Sequence, residues 1–432
     1  MSLDNHAFSF PRAYARSSSR FGCLGARGRG MLAAMGALTC VCWQFACSSH
    51  NAGPTLNVGL LLPFTGGVGA MGINLEEAAM MVADRVNANG GVTGKQLRFV
   101  VGDTHSDVSR AIESLNRILD EDVVAVIGPE SADVAVAILP MLKQQGILFV
   151  SPYGTDSVDS TDANADYPWF RLAATPTSLG QALAKRMIAD SAGTASVLYT
   201  SDLYNAALAT AAAETLQQLG GSALAQIALP VGHEDYSTLL MRASVANLDV
   251  VVLAADPVSG AKIVNDLSVL YPASNRRWYF SPTLKTNAFV ANAFPEDIEG
   301  AIGVAPSIFA SVDVFDAEFT ATWNGDVPLD GAFYYYDAMT LVALSIESAW
   351  IAAGKQEPSF EELRDAVRAI AHTFGIVTEW NQIPTALSLI RNGQTTYYTG
   401  LSGPILLDDQ GERQMGTAAF WRVAGGKIVN LN

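Results

Sequence analysis

The sequence predicts an α/β fold made of two doubly wound parallel-sheet lobes. Three observations predict it. Short apolar runs of strand length alternate with segments whose apolar residues recur at helical spacing. The alternation stops after Arg171 and starts again, so two similar series lie in one chain. The chain has 432 residues, half of them apolar and only 16% charged, which suits two large cores and excludes intrinsic disorder.

The elements follow in order. Residues 56–62 read as a buried strand, and 74–87 as a helix that Asn89-Gly90-Gly91 stops. Residues 97–101 form a strand and 109–120 a helix. Then come strand 123–128, helix 132–145 and strand 147–151. The second series runs helix 179–189, strand 196–200, helix 206–219 and strand 224–229, the last following Gly220-Gly221. It continues with helix 236–245, strand 250–254, helix 260–270, strand 278–281 and strand 301–305. Helices 315–323, 331–353 and 360–370 follow, and residues 404–432 are turn-rich and β-like. Ligands of open parallel sheets bind beyond the carboxyl ends of the strands. The loops to inspect therefore follow Leu62, Gly128, Ser151, Thr200, Ala254 and Ser281.

The net charge of −16 argues against a nucleic-acid partner, because phosphate binding needs a basic face. The first 30 residues carry five arginines and one acid, Asp4, and residues 31–46 carry no charge. A basic region, a short apolar run and a small residue before a break describe a secretory signal over residues 1–46. The start codon is Met1 or Met31. The break at Ala46-Cys47-Ser48-Ser49 resembles a bacterial lipobox, with Cys47 lipidated and residues 47–55 a tether. Gln44 stands where a lipobox prefers Leu, a simple peptidase cut is the alternative, and Cys40 and Cys42 are weaker lipidation candidates. Removal of residues 1–46 turns 26 basic and 42 acidic residues into 21 and 41, a net charge of −20. All four cysteines precede residue 48, so the remainder has no disulfide, thiolate metal site or cysteine nucleophile.

Most catalytic signals fail on inspection. Gly67-Val-Gly-Ala-Met-Gly72 fits the dinucleotide fingerprint, but Pro63–Gly66 separates it from the strand. Asp103 lies 31 residues beyond Gly72, where about 20 is expected. The same loop, at a helix N-terminus, still suits a small anion. Gly90-Gly-Val-Thr-Gly-Lys95 lacks the hydroxyl residue of a P-loop and reads as a turn. His50, His105, His233 and His372 are far apart, and no HExxH or G-x-S-x-G motif occurs, so neither a metal nor a cofactor is expected. Asp103-Thr-His-Ser-Asp107 reads as a capped turn rather than a triad fragment. Phe333-Tyr-Tyr-Tyr336 lies on a long helix and is mostly core, with one ring free to line a cleft. Tyr153 and Tyr204 stand in loops after strands, where a large aromatic needs a reason.

The ordered set of segments resembles the type I periplasmic solute-binding proteins, specifically the branched-chain amino-acid group of ABC importers. The matching pieces include Val58–Pro63 with Thr65-Gly66, residues 87–92 with Gly94, Asp103, Val126-Ile-Gly-Pro129 and residues 146–152 with Thr155. Phe170-Arg171, Tyr204, Asp235-Tyr236, residues 249–253, Tyr336-Asp-Ala338 and residues 398–404 with Asp408 and Gly411 complete them. The resemblance implies two lobes joined by three hinge strands, near residues 172–177, 301–307 and 398–404. Lobe one would hold 56–172 and 306–398, and lobe two 173–305 and 399–432. Closure would be a hinge motion on a small ligand.

For an amino-acid ligand the resemblance implies that Ser131 and Ala132 hold the carboxylate. Tyr153, Gly154 and Thr155 would help to hold the ammonium, and Tyr204 would reach the ligand from the other lobe. The acid that commonly pairs with the ammonium falls at Thr283, with Asp256 as its expected replacement, since a buried ammonium without an acid is costly. Phe64 and Met71 would line the first loop, and Lys285 would serve an acid ligand or lie in solvent. The expected protein is a lipid-anchored, monomeric receptor of the bacterial cell envelope. It would deliver an amino acid or a related carboxylate or aromatic compound to ABC importer permease subunits, with no catalysis. The alternatives are a sensor of the same fold without transport and an exported hydrolase.

Overall fold

The structure is a computed structural model that describes residues 53–431 apart from 155, 157–168, 243–247, 273–274, 309–311, 373 and 415–417. The expected leader, Cys47 and most of its tether lie outside the described residues, as does Thr155. The first series is β1 (Thr55–Leu62), α1 (Gly72–Ala88), β2 (Gln96–Asp103), α2 (Val108–Leu119), β3 (Val123–Ile127), α3 (Ala132–Gln145), β4 (Leu148–Ser151) and β5 (Phe170–Arg171). Its five strands form one parallel sheet in the order β2-β1-β3-β4-β5. Side chains alternate faces along a strand, so each strand serves two cores. Leu60 and Leu62 face α1, while Leu61 between them faces α2 and α3. Leu148 and Val150 divide from Phe149 in the same way.

The second series is α4 (Pro176–Ala189), β6 (Thr194–Thr200), α5 (Leu203–Gln218), β7 (Ser222–Leu229), α6 (Ser237–Arg242), β8 (Val250–Ala254) and α7 (Pro257–Leu270). It ends with β9 (Arg277–Phe280), α8 (Asn287–Asn292), α9 (Pro295–Ile298) and β10 (Ile302–Pro306). The chain then adds α10 (Val312–Thr322), α11 (Asp330–Ala352), α12 (Phe360–Ile370), β11 (Ile376–Glu379), α13 (Ile383–Arg391), β12 (Thr396–Gly400) and β13 (Gly403–Pro404), and closes with β14 (Ala418–Ala424) and β15 (Lys427–Leu431). The second sheet has the order β15-β14-β10-β9-β8-β6-β7, parallel except for the antiparallel β14 and β15. Val251 and Leu253 face a core with α7 and α8, whereas Val250, Val252 and Ala254 face α4 and α5. The fold is therefore α/β, with two doubly wound lobes joined by three crossing segments.

Helices α11, α12 and α13 return to the first lobe and share a core with α1. The third crossing differs from expectation. Tyr398, Leu401, Ile405 and Leu407 are all buried in the first lobe's core, so the chain leaves that lobe after Leu407 rather than at residues 398–404. The reason is local. The buried Asp337 carboxylate of α11 accepts from Tyr398 Oη, Leu401 N, Ser402 N and Ser402 Oγ at 2.5–2.8 Å, which pins the β12–β13 turn to the helix. The Arg413 guanidinium then donates to Leu172 O, Ser402 O, Ser402 Oγ and Pro404 O, tying the first and third crossings together.

Candidate ligand-binding site

The carboxyl ends of both sheets supply the loops of the site. The loop after β1 is held by Asp103 at the end of β2. Asp103 Oδ1 accepts from Phe64 N, Thr65 N and His105 N, and Oδ2 accepts from Thr65 Oγ1. Burial alone would raise this carboxyl, but those hydrogen bonds hold it below its ordinary value. Gly66 adopts φ 89°, and a Cβ there would lie 2.1 Å from His105 O. The glycines of this loop thus serve a tight turn. Thr65, His105 and Asp103 do meet, with Thr65 Oγ1 2.5 Å from His105 Nδ1 and that nitrogen 3.3 Å from Asp103 Oδ2. A catalytic relay uses two different ring nitrogens, whereas here one nitrogen faces both partners.

The loop after β3 carries Glu130, Ser131, Ala132 and Asp133. Ser131 caps α3, accepting from Val134 N, and Ala132 is buried behind it. Asp133 Oδ2 accepts from Leu203 N of the second lobe at 3.4 Å. Glu130 Oε1 accepts from Thr104 Oγ1 at 2.8 Å, while its buried Oε2 has no hydrogen-bond partner among the described residues. Burial, with Asp103 nearby, pushes the Glu130 carboxyl up to about 7.

Two of the expected aromatics come together with two that the sequence left undecided. Tyr153 meets Tyr335 of α11 edge to face, with ring centroids 6.3 Å apart, and both hydroxyls are buried without a hydrogen-bond partner among the described residues. Gly331 on α11 makes this approach possible, since a Cβ there would lie 2.3 Å from Tyr153 Oη. Tyr204, in the first turn of α5, has its hydroxyl pushed up by burial and by Asp156, Tyr334, Tyr153 and Asp202, and its neighbour Leu203 donates to Asp133 of the first lobe. Tyr334 donates to Ser307 O, whereas Tyr336 turns away to Trp380 O and Arg85. Gly154 packs against the first crossing at Ala173 and Ala174. Phe64 and Met71 are half-buried against the first lobe's core.

The second lobe's acids and hydroxyls are partly committed to its scaffold. Asp256 caps α7, its Oδ1 accepting from Val258 N and Ser259 N at 3.0 Å, and its buried Oδ2 has no partner among the described residues. Thr283 Oγ1 lies 2.6 Å from Ala255 O and from Ser281 Oγ, and 3.1 Å from Asn205 Oδ1. Lys285 Nζ reaches Asp330 Oδ2 of α11 at 2.7 Å, a further link between the lobes. Nothing in the sequence singles out Glu130, Tyr334, Tyr335 or Asp330. An isolated loop glutamate looks solvated until α11, some two hundred residues later, covers it. Among the described residues no group of three or more His, Cys, Asp or Glu is placed to hold a metal ion, and no helix is long and apolar enough to cross a membrane.

Comparison with known proteins agrees with this geometry. The family model described as periplasmic binding protein matches residues 55–426. The chemotactic signal transduction system substrate-binding protein BasB of Halobacterium salinarum is 24% identical over 388 residues, 88% of each chain. The leucine-, isoleucine-, valine-, threonine- and alanine-binding protein of Pseudomonas aeruginosa is 24% identical over 74% of this chain and 84% of its own. The crystal structure of a leucine-binding protein from Thermotoga maritima superposes with a TM-score of 0.71 at 19% identity, covering 88% of this chain and 98% of that one. A solute-binding protein of R. palustris in complex with benzoate superposes with a TM-score of 0.67 at 19% identity, covering 87% and 95%. With the family model spanning both lobes and the site lying where their strands end, this chain belongs to the periplasmic binding protein family.

Proposed function

We propose that this protein is a lipid-anchored receptor of the bacterial cell envelope that closes its two lobes on a small ligand and delivers it to the permease subunits of an ABC importer, without catalysis. The observation that carries the reading is the meeting of the two lobes at the carboxyl ends of their sheets, where Tyr153 packs on Tyr335, Leu203 N beside Tyr204 donates to Asp133, and Lys285 pairs with Asp330. Aromatic rings and acidic side chains meet there, which suits an amino acid or a related small aromatic compound. Cys47 supplies the anchor, and the receptor acts as a monomer. A sensing role without transport is the second reading, favoured by the similarity over 88% of both chains to a substrate-binding protein of a chemotactic signalling system.

A thermal-shift screen of the purified chain against amino acids, aromatic acids, amines, amides and short peptides tests the receptor reading. A ligand at a hundred times its Kd stabilises the folded state by about 2.7 kcal/mol. A compound that raises the melting temperature supports the reading, and silence across the library argues for partner sensing. Uptake of that compound by cells carrying the chain with its permease, lost when the chain is deleted, separates import from sensing.

A further inference from the structure

We infer that the cleft selects a ligand bearing a cationic nitrogen, an ammonium or amidinium, seated against Glu130 with the hydroxyls of Tyr153 and Tyr335 as its other partners. The inference rests on the receptor reading and narrows its ligand class. Three buried polar atoms of one neighbourhood lack partners among the described residues: Glu130 Oε2, Tyr153 Oη and Tyr335 Oη. Buried polar atoms are rarely left so, because the desolvation is uncompensated. The two rings touch, and both hydroxyls feel the charge of Glu130. An ammonium brings three donors, and the three atoms can supply three acceptors.

The surroundings favour a cation and disfavour an anion. The charges of Glu130 and Asp330 act on Tyr153, those of Asp156 and Asp202 on Tyr204, and Asp133 accepts from Leu203 N beside Tyr204. Lys285 is already paired with Asp330, and Arg413 is spent on Leu172, Ser402 and Pro404. The N-terminus of α3, where the resemblance seats a carboxylate, carries Asp133 in its first turn. A ligand carboxylate there would meet two protein carboxyls and no uncommitted cation.

The charge of Glu130 makes the inference dependent on pH. The groups facing it are Thr104 and Asp103 from the end of β2, Tyr153 from the loop after β4 and Tyr335 from α11. Its carboxyl, at about 7 in the free protein, must ionise to hold a cation, so affinity falls as pH drops below 7. Between pH 8 and pH 5 the loss is about a hundredfold if the bound carboxyl stays ionised. A carboxylic acid that needs the protonated form shows the opposite trend.

The test is a thermal-shift and calorimetric screen of the full chain with benzylamine, benzamidine, isoamylamine and agmatine. Benzoate, phenylacetate and isovalerate are the matched anions, and leucine and phenylalanine the zwitterions. The expected result is stabilisation by a cation at pH 8, no stabilisation by the anions, and affinity lost toward pH 5. Glu130→Gln should weaken that cation at least tenfold, and Tyr335→Phe severalfold with the fold retained. Two outcomes overturn the inference while leaving the receptor reading intact. One is an anion or zwitterion that binds as well at pH 5 as at pH 8 and is indifferent to Glu130→Gln. The other is a cation lost in Asp256→Asn but kept in Glu130→Gln. No stabilisation by any of the nine compounds counts against the inference and the receptor reading together.

Discussion

One oxygen of Glu130 is satisfied by Thr104 and the other is buried without a partner among the described residues, so ionisation of this side chain costs the folded protein. Its carboxyl is raised from 4.5 to about 7 by burial. A carboxyl raised on folding contributes stability that is fully present below its unfolded value and is lost as pH rises through the folded value. Glu130→Gln has no such loss. The variant should therefore gain on the parent by up to about 3 kcal/mol between pH 4.5 and pH 8, read from urea unfolding at both pH values. A difference that stays flat with pH would show that burial does not raise this carboxyl. Asp256 offers a second test at the same scale. Asp256→Ala removes the α7 cap and should cost about 1 kcal/mol, whereas Asp256→Asn keeps an acceptor for Val258 N and Ser259 N and should cost a few tenths. If Asp256 instead holds a ligand's cation, Asp256→Asn keeps the stability and loses the binding.

At the scale of elements, the pinning of β12 to α11 sets where the third crossing begins. A Cβ on Gly400 would lie 2.3 Å from the Asp337 carboxylate, which is fixed by four hydrogen bonds and has no room to retreat. Gly400→Ala should cost about 1–3 kcal/mol as an overpacked core, measured by chemical unfolding. A neutral result would mean that the strand shifts freely against the helix. The same region marks the limit of what the sequence discloses. The βα alternation of both lobes is legible because fully buried parallel strands read as continuous apolar runs, as in residues 56–62 and 250–254. Strand β11 and helix α13 are not, since Ile376 and Val377 are exposed on an edge strand and α13 is a short helix whose Gln382 gives no side-chain cap. The third crossing is hidden because only the buried Asp337 reveals that 398–404 belong to the first lobe. In the site, Tyr153 and Tyr204 are legible as loop aromatics after strands. Glu130 is not, because its burial is created by residues distant in sequence, and Tyr334, Tyr335 and Tyr336 are all buried in the first lobe's core, so spacing alone does not show that Tyr335 packs on Tyr153 while Tyr336 bonds to Trp380 O.

For the molecule as a whole, function depends on how the free energy of closure is divided between the protein and its ligand. Contacts already link the lobes, among them Asp133 to Leu203 N, Asp156 to Thr177 and Lys285 to Asp330. An ion pair with one partner half in solvent contributes about 0–1 kcal/mol, so it biases an open–closed equilibrium without locking it. Apparent affinity is the intrinsic affinity scaled by the fraction of molecules that are competent to bind. Removing the pair by Lys285→Ala should lower that fraction and weaken any cleft ligand by about two- to fivefold. The melting temperature of the free protein should barely move, because each lobe keeps its own core. Small-angle scattering should report a larger radius of gyration for free Lys285→Ala than for the parent, and equal radii once ligand is saturating. The charge change argues separately. Loss of Lys285 makes a cleft that carries Glu130, Asp133 and Asp330 more negative, so a cationic ligand should regain part of the lost affinity at low ionic strength, where screening is weak. An anionic ligand should lose further under the same conditions. Unchanged scattering together with unchanged affinity would mean that the Lys285–Asp330 pair is only a surface contact and that the ligand alone supplies the free energy of closure.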